Sequence, residues 1–210
     1  MRSLSFLLCL AAGFTIHAQD TGFISGNVSF ATTKIDAEGT LFDEQLTTGS
    51  FGPAIGYNLS PKHVVGIALG ISSSTREYSV MPSETQLDAT EKRSMVTIAP
   101  FYRYMKSVND RFLLYGQAKV GFGFGKETSE VAGVNSQQEV DLSALDLRIG
   151  PGLVYVVADR WALSADWGVL GHVSEKRTKA VMSGDVEYTT SGFEASLNPG
   201  AITIALNWLF

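Results

Sequence analysis

The sequence is short of the residues and segments on which several protein classes depend. Its 210 residues include one cysteine and three histidines, which leaves no clustered ligands of the kind that a metal site needs. Past residue 20 there is no apolar run of about twenty residues, the length that a membrane-spanning helix requires. A net charge of −5 excludes a nucleic-acid surface built on bulk positive charge. The hydrophobic fraction, 45%, is too high for a disordered chain.

The first residues predict an export signal and not part of the fold. Met1 and Arg2 supply a positive end, residues 4–16 are almost wholly apolar or small, and Ala18 is a small residue at a suitable cleavage position. We therefore expect a signal peptide at 1–18 and a mature domain at 19–210. Cys9 would leave with the signal, so that the mature chain would contain no disulfide.

From residue 23 onward, eight runs alternate between an apolar face and a face of small or polar residues. In a soluble β-protein the second face is wetted by bulk water and is rich in Lys, Glu and Thr. Here it is mostly Gly, Ala and Ser, which suits a narrow lumen, so the apolar face is expected to contact lipid. The sequence therefore predicts an all-β fold, an eight-stranded antiparallel transmembrane up-and-down β-barrel. The runs are 23–30, 50–57, 65–72, 96–104, 112–124, 145–155, 161–169 and 201–210.

The connections between these runs alternate in length, as turns and loops do in such barrels. We expect periplasmic turns at the short connections, which are 58–63, 105–111 and 156–160. We expect four loops outside the cell at the long polar ones, which are 32–48, 73–93, 125–143 and 172–194. If 125–143 or 172–194 contains a further hairpin, the barrel has ten strands instead of eight.

Aromatic residues of the outward face are concentrated beside the short turns, where they predict a girdle at the inner membrane interface. A soluble β-protein with core aromatics would explain the alternation but not this concentration. The girdle residues are Tyr57, Tyr104, Phe112, Tyr155, Trp161 and Trp208, with Phe210 at the same rim.

Three similar segments each place a proline four residues before a tyrosine, ahead of a short turn. Proline donates no ladder hydrogen bond, and a closed barrel has no edge at which to tolerate it. We therefore expect bulges or register breaks at Pro53, Pro100 and Pro151.

Residues 19–210 resemble the small outer-membrane β-barrel family of Gram-negative bacteria, the group of OmpX and the OmpA membrane domain. The most specific piece is the final AITIALNWLF, because the family carries a terminal aromatic such as Phe210 as a signal for the outer-membrane assembly machinery. IAPFYRY also looks like the family. The resemblance implies export through the secretory pathway, location in the bacterial outer membrane, and contact with outer-membrane lipid and lipopolysaccharide. We expect no peptidoglycan-binding domain of the OmpA type after Phe210.

Five charged residues of the second face are predicted to point into the lumen. Because an isolated charge there is costly, we expect them to pair and to plug a lumen that is only wide enough for side chains. The alternative is a narrow passive, porin-like channel, which bilayer conductance would reveal. The five are Arg103, Lys119, Asp146, Arg148 and Asp166.

One catalytic candidate is present. His172-Val173-Ser174, with Glu187 further along, resembles the His-x-Ser of outer-membrane lipid A deacylases, in which His would activate Ser as a nucleophile. However, the alternation of the seventh run turns His172 inward, away from lipid, and Glu175 stands where the family has Asn. We therefore predict no enzymatic activity, no cofactor and no metal.

The long polar connections are the remaining functional surface. Residues 34–45 carry four acidic residues and one basic residue. Exposed loops of this kind can bind a protein or a surface outside the cell. We expect a monomer with a structural or surface-interaction role, in adhesion or envelope integrity, and no nucleic-acid partner.

Overall fold

The computed structural model describes residues 21–36, 43–80, 87–133, 138–167, 169–181, 184–196 and 202–210. The predicted signal peptide at 1–18 lies outside these residues. Among the described residues we find no helix with the length and apolarity that a bilayer crossing demands. The strands are β1 (Gly22–Asp36), β2 (Asp43–Ser60), β3 (His63–Val80), β4 (Leu87–Ser107), β5 (Phe112–Val131), β6 (Gln138–Ala158), β7 (Trp161–Asp166), β8 (Val169–Val181), β9 (Gly184–Ser196) and β10 (Thr203–Leu209).

The strands form one antiparallel sheet that closes on itself. Strands β1 to β6 pair in chain order, β6 pairs with β7, β7 with β10, and β10 with β1, which makes a ring of eight. At the closure, the backbones of Gly22 and Phe210 exchange two N–H···O hydrogen bonds of 3.1 Å. The prediction of an all-β antiparallel barrel is confirmed. Where β1 pairs with β10, from Phe23 to Gly26, closure satisfies the ladder groups that an open edge would expose to lipid.

The other two strands belong to a hairpin that extends the wall instead of widening the ring. β7 pairs with the last part of β6, and β8 pairs with an earlier part of it, so both follow the same side of β6. β8 then pairs with β9. The hairpin lies largely within 172–194, one of the two segments in which an additional pair of strands was considered.

A register shift of one residue separates β7 from β8. Gly152 pairs with Asp166, but Ile149 pairs with Leu170, so that two residues of β6 face three of the other strand. Pro151 lies in this gap and has no N–H to donate. A shift of one residue exchanges the two faces of a strand, and this corrects the predicted direction of His172.

His172 is the predicted residue affected by the exchange. The sequence predicts that it points inward. In the structure His172 is exposed and pairs with the outward residue Leu147. The prediction is wrong because of the extra residue between the pairs Gly152–Asp166 and Ile149–Leu170.

Pro53 and Pro100 disturb the ladder in a different way. Between β2 and β3 the described pairing skips Gly52 and Pro53 and resumes at Ala54 in the same register. Between β4 and β5 it skips Ala99 and Pro100 in the same manner. The disturbance predicted at the prolines is thus a two-residue gap at these positions and a register shift at Pro151.

The strands continue far into the segments that were predicted as long loops. β3 and β4 are paired from their short-turn ends up to the pair Val80 and Leu87, and β5 with β6 up to Ser129 and Gln138. The four connections predicted at this end are therefore much shorter than expected, and the prediction of their length is wrong. Polar groups support pairing beyond the apolar region, as in the 2.7 Å hydrogen bond between the hydroxyls of Ser29 and Ser50.

The short turns lie where the sequence predicted them. Two-residue turns connect β2 with β3 and β6 with β7. Between β4 and β5, the side-chain oxygen of Asn109 accepts hydrogen bonds of 2.9 Å from the backbone N–H groups of Arg111 and Phe112. We call this end of the barrel the turn end and the opposite end the mouth end.

The two faces of the sheet differ in the way that the alternation predicts. Val28, Phe30, Ile98 and Phe122 point away from the lumen and are 77%, 76%, 46% and 45% exposed. The inward neighbours on the same strands are mainly small. The outer surface is therefore an apolar band for which lipid is the fitting solvent.

Candidate functional site

Two buried clusters fill the lumen at the turn end. One contains Phe23, Val64 and Phe101, and the other contains Tyr115, Val154 and Ala162. None of the six is more than 7% exposed. We call these six residues, together with Arg103, the plug.

Arg103 joins the two clusters of the plug. Its guanidinium carbon lies 4.0 Å from the ring centre of Tyr115 and 5.2 Å from that of Phe23. Its Nε and Nη2 donate hydrogen bonds of 3.0 and 2.7 Å to Oε1 of Gln117. Among the described residues no carboxylate forms an ion pair with it. Aromatic faces and an amide therefore hold this buried charge.

Each aromatic ring of the plug covers a glycine directly opposite it on the neighbouring strand. Phe23 pairs with Gly56, Gly66 with Phe101, and Tyr115 with Gly152. A Cβ atom at any of the three glycines would overlap the ring of its partner. These glycines are therefore required by the rings, and their spacing in the sequence alone does not reveal the pairing.

The five lumen charges predicted from the sequence do not form one network. Arg148 Nε donates to Asp146 Oδ1 at 2.8 Å. Asp166 accepts a 2.6 Å hydrogen bond from the hydroxyl of Tyr115, and Arg103 is bonded to an amide. Within the described part of the chain, Lys119 makes neither an ion pair nor a hydrogen bond.

All five predicted residues line one polar cavity above the plug. Its volume is about 490 Å³. About half of the residues around it are small or hydroxyl-bearing, among them Ser25, Ser50, Gly70, Ser72 and Thr97. The lumen is thus filled at the turn end and hollow above the plug, in the shape of a cup.

A second set of charges crosses the lumen at the mouth end. Arg93 on β4 is ion-paired with Glu175 on β8. Arg177, also on β8, contacts Glu175 at 3.0 Å and Glu127 on β5 at 3.1 Å. Since β8 pairs with β6 and β9, these contacts link strands that are not neighbours in the sheet. We call these four residues the mouth cluster.

Sequence reasoning missed the mouth cluster because it assigned all four residues to loops or their borders. Around Arg93, Glu127 and Glu175 consecutive charged residues stand beside Ser and Thr. Without an apolar alternation, the sequence gives no period-two signal for a strand at these positions.

The predicted girdle residues lie on the outer surface at the turn end. Trp161 pairs with Trp208, and Phe112 pairs with Tyr155 at 4.7 Å between ring centres. The ring of Tyr104 lies 5.4 Å from that of His63. Tyr57 belongs to the same rim and is 43% exposed. Their function at a membrane interface stays a prediction.

His172 and Ser174 share the outward face of β8, beside Leu147 and Leu145. No hydrogen bond joins the two side chains among the described residues, and Glu187 is ion-paired with Lys176 at 2.7 Å. The described residues also contain no group of three or more His, Cys, Asp or Glu that could hold a metal ion. The catalytic arrangement that a His-x-Ser pair would need is therefore not assembled in this structure.

A closed antiparallel barrel with an apolar outer band and a polar lumen defines a transmembrane β-barrel protein. Residues 6–210 match the family described as outer membrane protein beta-barrel domain, and the chain belongs to this family. It is thus a protein of the bacterial outer membrane.

Several solved structures are similar to this chain, whereas no curated protein matches it significantly. A major outer membrane protein from Thermus thermophilus is 15% identical, with 92% of this chain and 100% of that chain covered and a TM-score of 0.50. Neisserial surface protein A is 11% identical, with 93% and 100% covered and a TM-score of 0.42. Ail, the attachment invasion locus protein of Yersinia pestis, is 16% identical, with 90% and 99% covered and a TM-score of 0.39. At such identities the likeness concerns the fold alone.

Proposed function

We propose that this outer-membrane barrel is a non-conducting structural or surface-interaction protein, with a role in envelope integrity or adhesion. The observation that carries the non-conducting part is the plug, in which Val64 is 1% and Tyr115 4% exposed. A continuous water path needs polar space along the whole lumen, and at this level apolar side chains fill it. Arg103 adds a cation to the plug, in contact with the rings of Tyr115 and Phe23.

The interaction part of the proposal is supported by the length of the strands. β4 and β6 contain 21 residues each, about twice the 9–11 residues that a strand needs to cross a bilayer. The surplus forms a polar wall at the mouth end, which carries the mouth cluster and the ion pairs around it. Such a wall offers a rigid surface to lipopolysaccharide or to a protein outside the cell.

Planar-bilayer recording tests the non-conducting role. Wild-type protein is expected to give no steady single-channel conductance, because the plug closes the turn end. Tyr115→Ala removes one ring of the plug and is expected to create measurable conductance. Tyr102→Ala, which removes an outward tyrosine 42% exposed on the neighbouring strand, is the matched control and should stay closed.

A steady conductance of the wild-type protein would favour the alternative function, a narrow passive channel. Envelope integrity is tested separately by the sensitivity of cells to vancomycin and detergent with and without the protein. Unchanged sensitivity, together with unchanged adhesion of the cells to host or abiotic surfaces, would contradict the structural and interaction role.

The lipid A hydrolase alternative has one observation in its favour, the outward direction of His172 and Ser174. Acyl-chain analysis of lipid A from cells that produce the wild-type protein or Ser174→Ala tests it. We expect identical lipid A from both, because no hydrogen bond couples the two side chains among the described residues. Loss of an acyl chain only with the wild-type protein would establish the enzyme.

A further inference from the structure

Four residues lie in one row across the wall of the cavity. Lys119 on β5 pairs with Arg148 on β6, Arg148 pairs with Gly171 on β8, and Gly171 pairs with Glu194 on β9. Lys119, Arg148 and Glu194 line the cavity. Gly171 is buried, and Arg148 Cγ lies beside the position that a Cβ of residue 171 would occupy. The row therefore has a positive pole, Lys119 together with Arg148 and its ion-pair partner Asp146, and a negative pole at the exposed Glu194.

Each pole contains one charged side chain that forms no ion pair among the described residues, Lys119 at the positive pole and Glu194 at the negative pole. Arg148 donates to Asp146 at 2.8 Å through Nε, which leaves its Nη groups available. Neither Lys119 nor Glu194 makes an ion pair or a hydrogen bond to any of the residues that the structure describes. In addition, Lys119 and Arg148 are directly opposite each other, and like charges in that position repel. A ligand that brings a negative group to one pole and a positive group to the other would relieve both.

The space in front of the row is open and polar. On β6 the same-face neighbour of Arg148 is Gly150, which lines the cavity and adds no side-chain volume there. Hydroxyl groups also line the cavity, that of Thr97 on the adjacent strand β4 and that of Ser25 on β1, across the ring. The plug closes the lumen below and the mouth cluster crosses it above, so a ligand would enter past the mouth cluster.

We propose that this row binds a small zwitterion, of about the size of a dipeptide with free termini. The ligand carboxylate lies against Lys119 and Arg148, and its ammonium group lies against Glu194. The strands of Arg148 and Glu194 are two inter-strand spacings apart, roughly 10 Å, and the charged side chains shorten the distance to be bridged. A dipeptide extends over roughly 7 Å.

Two other carboxylates line the cavity, and each accepts a hydrogen bond from a neighbouring side chain. Asp146 is the partner of Arg148. Asp166 lies opposite Gly152, four residues along β6 from Arg148 toward the turn end, and it accepts the hydroxyl of Tyr115. Glu194 has no such partner among the described residues, so it is the negative pole of the site.

Titration calorimetry on the full chain, purified from outer membranes in dodecyl maltoside, tests the proposal with three probes. Dialanine has both charges, N-acetyl-dialanine has only the carboxylate, and dialanine amide has only the ammonium group. Dialanine is expected to bind at millimolar concentration or below. Each blocked probe should bind about tenfold more weakly, the factor expected for one charge-assisted hydrogen bond.

Two pairs of variants locate the site. Lys119→Met and Glu194→Gln are expected to weaken dialanine binding about tenfold, again one charge-assisted hydrogen bond. Lys126→Met and Glu187→Gln remove the same groups from the same two strands but outside the cavity, where they are ion-paired with Glu139 and Lys176. These controls should bind dialanine as the wild type does.

The proposal can be refuted even if one of the variants fails to fold. Heat-modifiable gel migration shows whether each variant is folded. If a cavity variant does not fold, the three probes on the wild-type protein still decide, because they need no substitution. Absence of dialanine binding, equal binding of either blocked probe, or unchanged affinity in folded Lys119→Met would each refute a zwitterion site.

Discussion

Tyr115 and Gly152 are direct partners across β5 and β6, and the tyrosine ring occupies the space that a side chain at position 152 would need. The same ring carries the guanidinium of Arg103 on its face, and its hydroxyl is bonded to Asp166. One aromatic residue thus connects four strands, β4, β5, β6 and β7, at the base of the cup. The arrangement requires glycine at position 152, because a side chain there would overlap the tyrosine ring.

Gly152→Ala is expected to destabilise the barrel. The new methyl group would overlap the ring of Tyr115, which cannot move without disturbing Arg103 and Asp166, and overpacking of this kind costs about 1–3 kcal/mol. Gly116→Ala is the control, because a Cβ there meets nothing within 4 Å. Urea unfolding in detergent micelles measures both. Equal free energies of unfolding for the two variants would show that the ring is not fixed over the glycine.

The mouth cluster is expected to limit the local opening of β8. Arg177→Met leaves Glu127 and Glu175 without one shared cation, and we expect faster amide hydrogen exchange in β8 while β2 and β3 exchange as before. The loss of stability should be modest, below about 1 kcal/mol, because Arg177 is 41% exposed and solvent screens its ion pairs.

Lys176→Met is the matched control for the mouth cluster. Lys176 is adjacent to Arg177 and pairs with Glu187 outside the lumen, with both side chains about half exposed. Such surface pairs contribute little to stability. If exchange in β8 increases equally in both variants, the cluster does not hold the hairpin across the lumen.

Acid dependence is predicted for the pair Arg76 and Glu44, which lies on the strands beyond the apolar band. The hydrogen bond from Arg76 Nε to Glu44, 2.8 Å long, holds the pKa of the Glu44 carboxyl below its ordinary value of 4.5. Because the folded-state pKa is lowered, the stabilisation by this pair is present above pH 4.5 and is lost as the pH falls through the lowered value.

Carboxyl NMR titration measures the acid dependence at Glu44. In Arg76→Met the Glu44 pKa is expected to rise toward the ordinary value. Lys126→Met, on the same side of the band but bonded to Glu139, should leave Glu44 unchanged. A Glu44 pKa that is the same with and without Arg76 would mean that the bond does not persist in solution.

The elements predicted correctly depend on contrasts that are local in the sequence. Ile98 and Phe122 alternate with small residues because lipid and lumen demand opposite chemistry, so period two is visible without any knowledge of pairing. The direction in which the His172 side chain points does not follow from such a local contrast. It depends on one extra residue opposite Pro151, and such a register shift leaves no mark in the alternation of either strand alone.

The site was predictable only as a set of residues and not as an arrangement. Parity brings Lys119, Arg148 and Asp146 into the lumen, but which of them meet depends on the register between strands. The row from Lys119 to Glu194 includes a residue that sequence reasoning left in a loop, because charged residues beyond the band interrupt the apolar signal. Polar strands are identified by their pairing, which a sequence does not display.

Phe210 makes two separable contributions to the barrel. Its backbone closes the ring through two hydrogen bonds to Gly22, and any residue could make these. Its ring, 5.6 Å from that of Trp208, is the part that the assembly machinery would recognise. Phe210→Ser is therefore expected to lower the amount of protein in the outer membrane several-fold, while chain refolded in detergent keeps its stability within about 1 kcal/mol, as substitutions outside the core do. Phe210→Tyr keeps an aromatic ring and should assemble normally. Equal loss of stability and of assembly in Phe210→Ser would instead mean that the ring acts through barrel closure, and recognition by the machinery would not be needed to explain the defect.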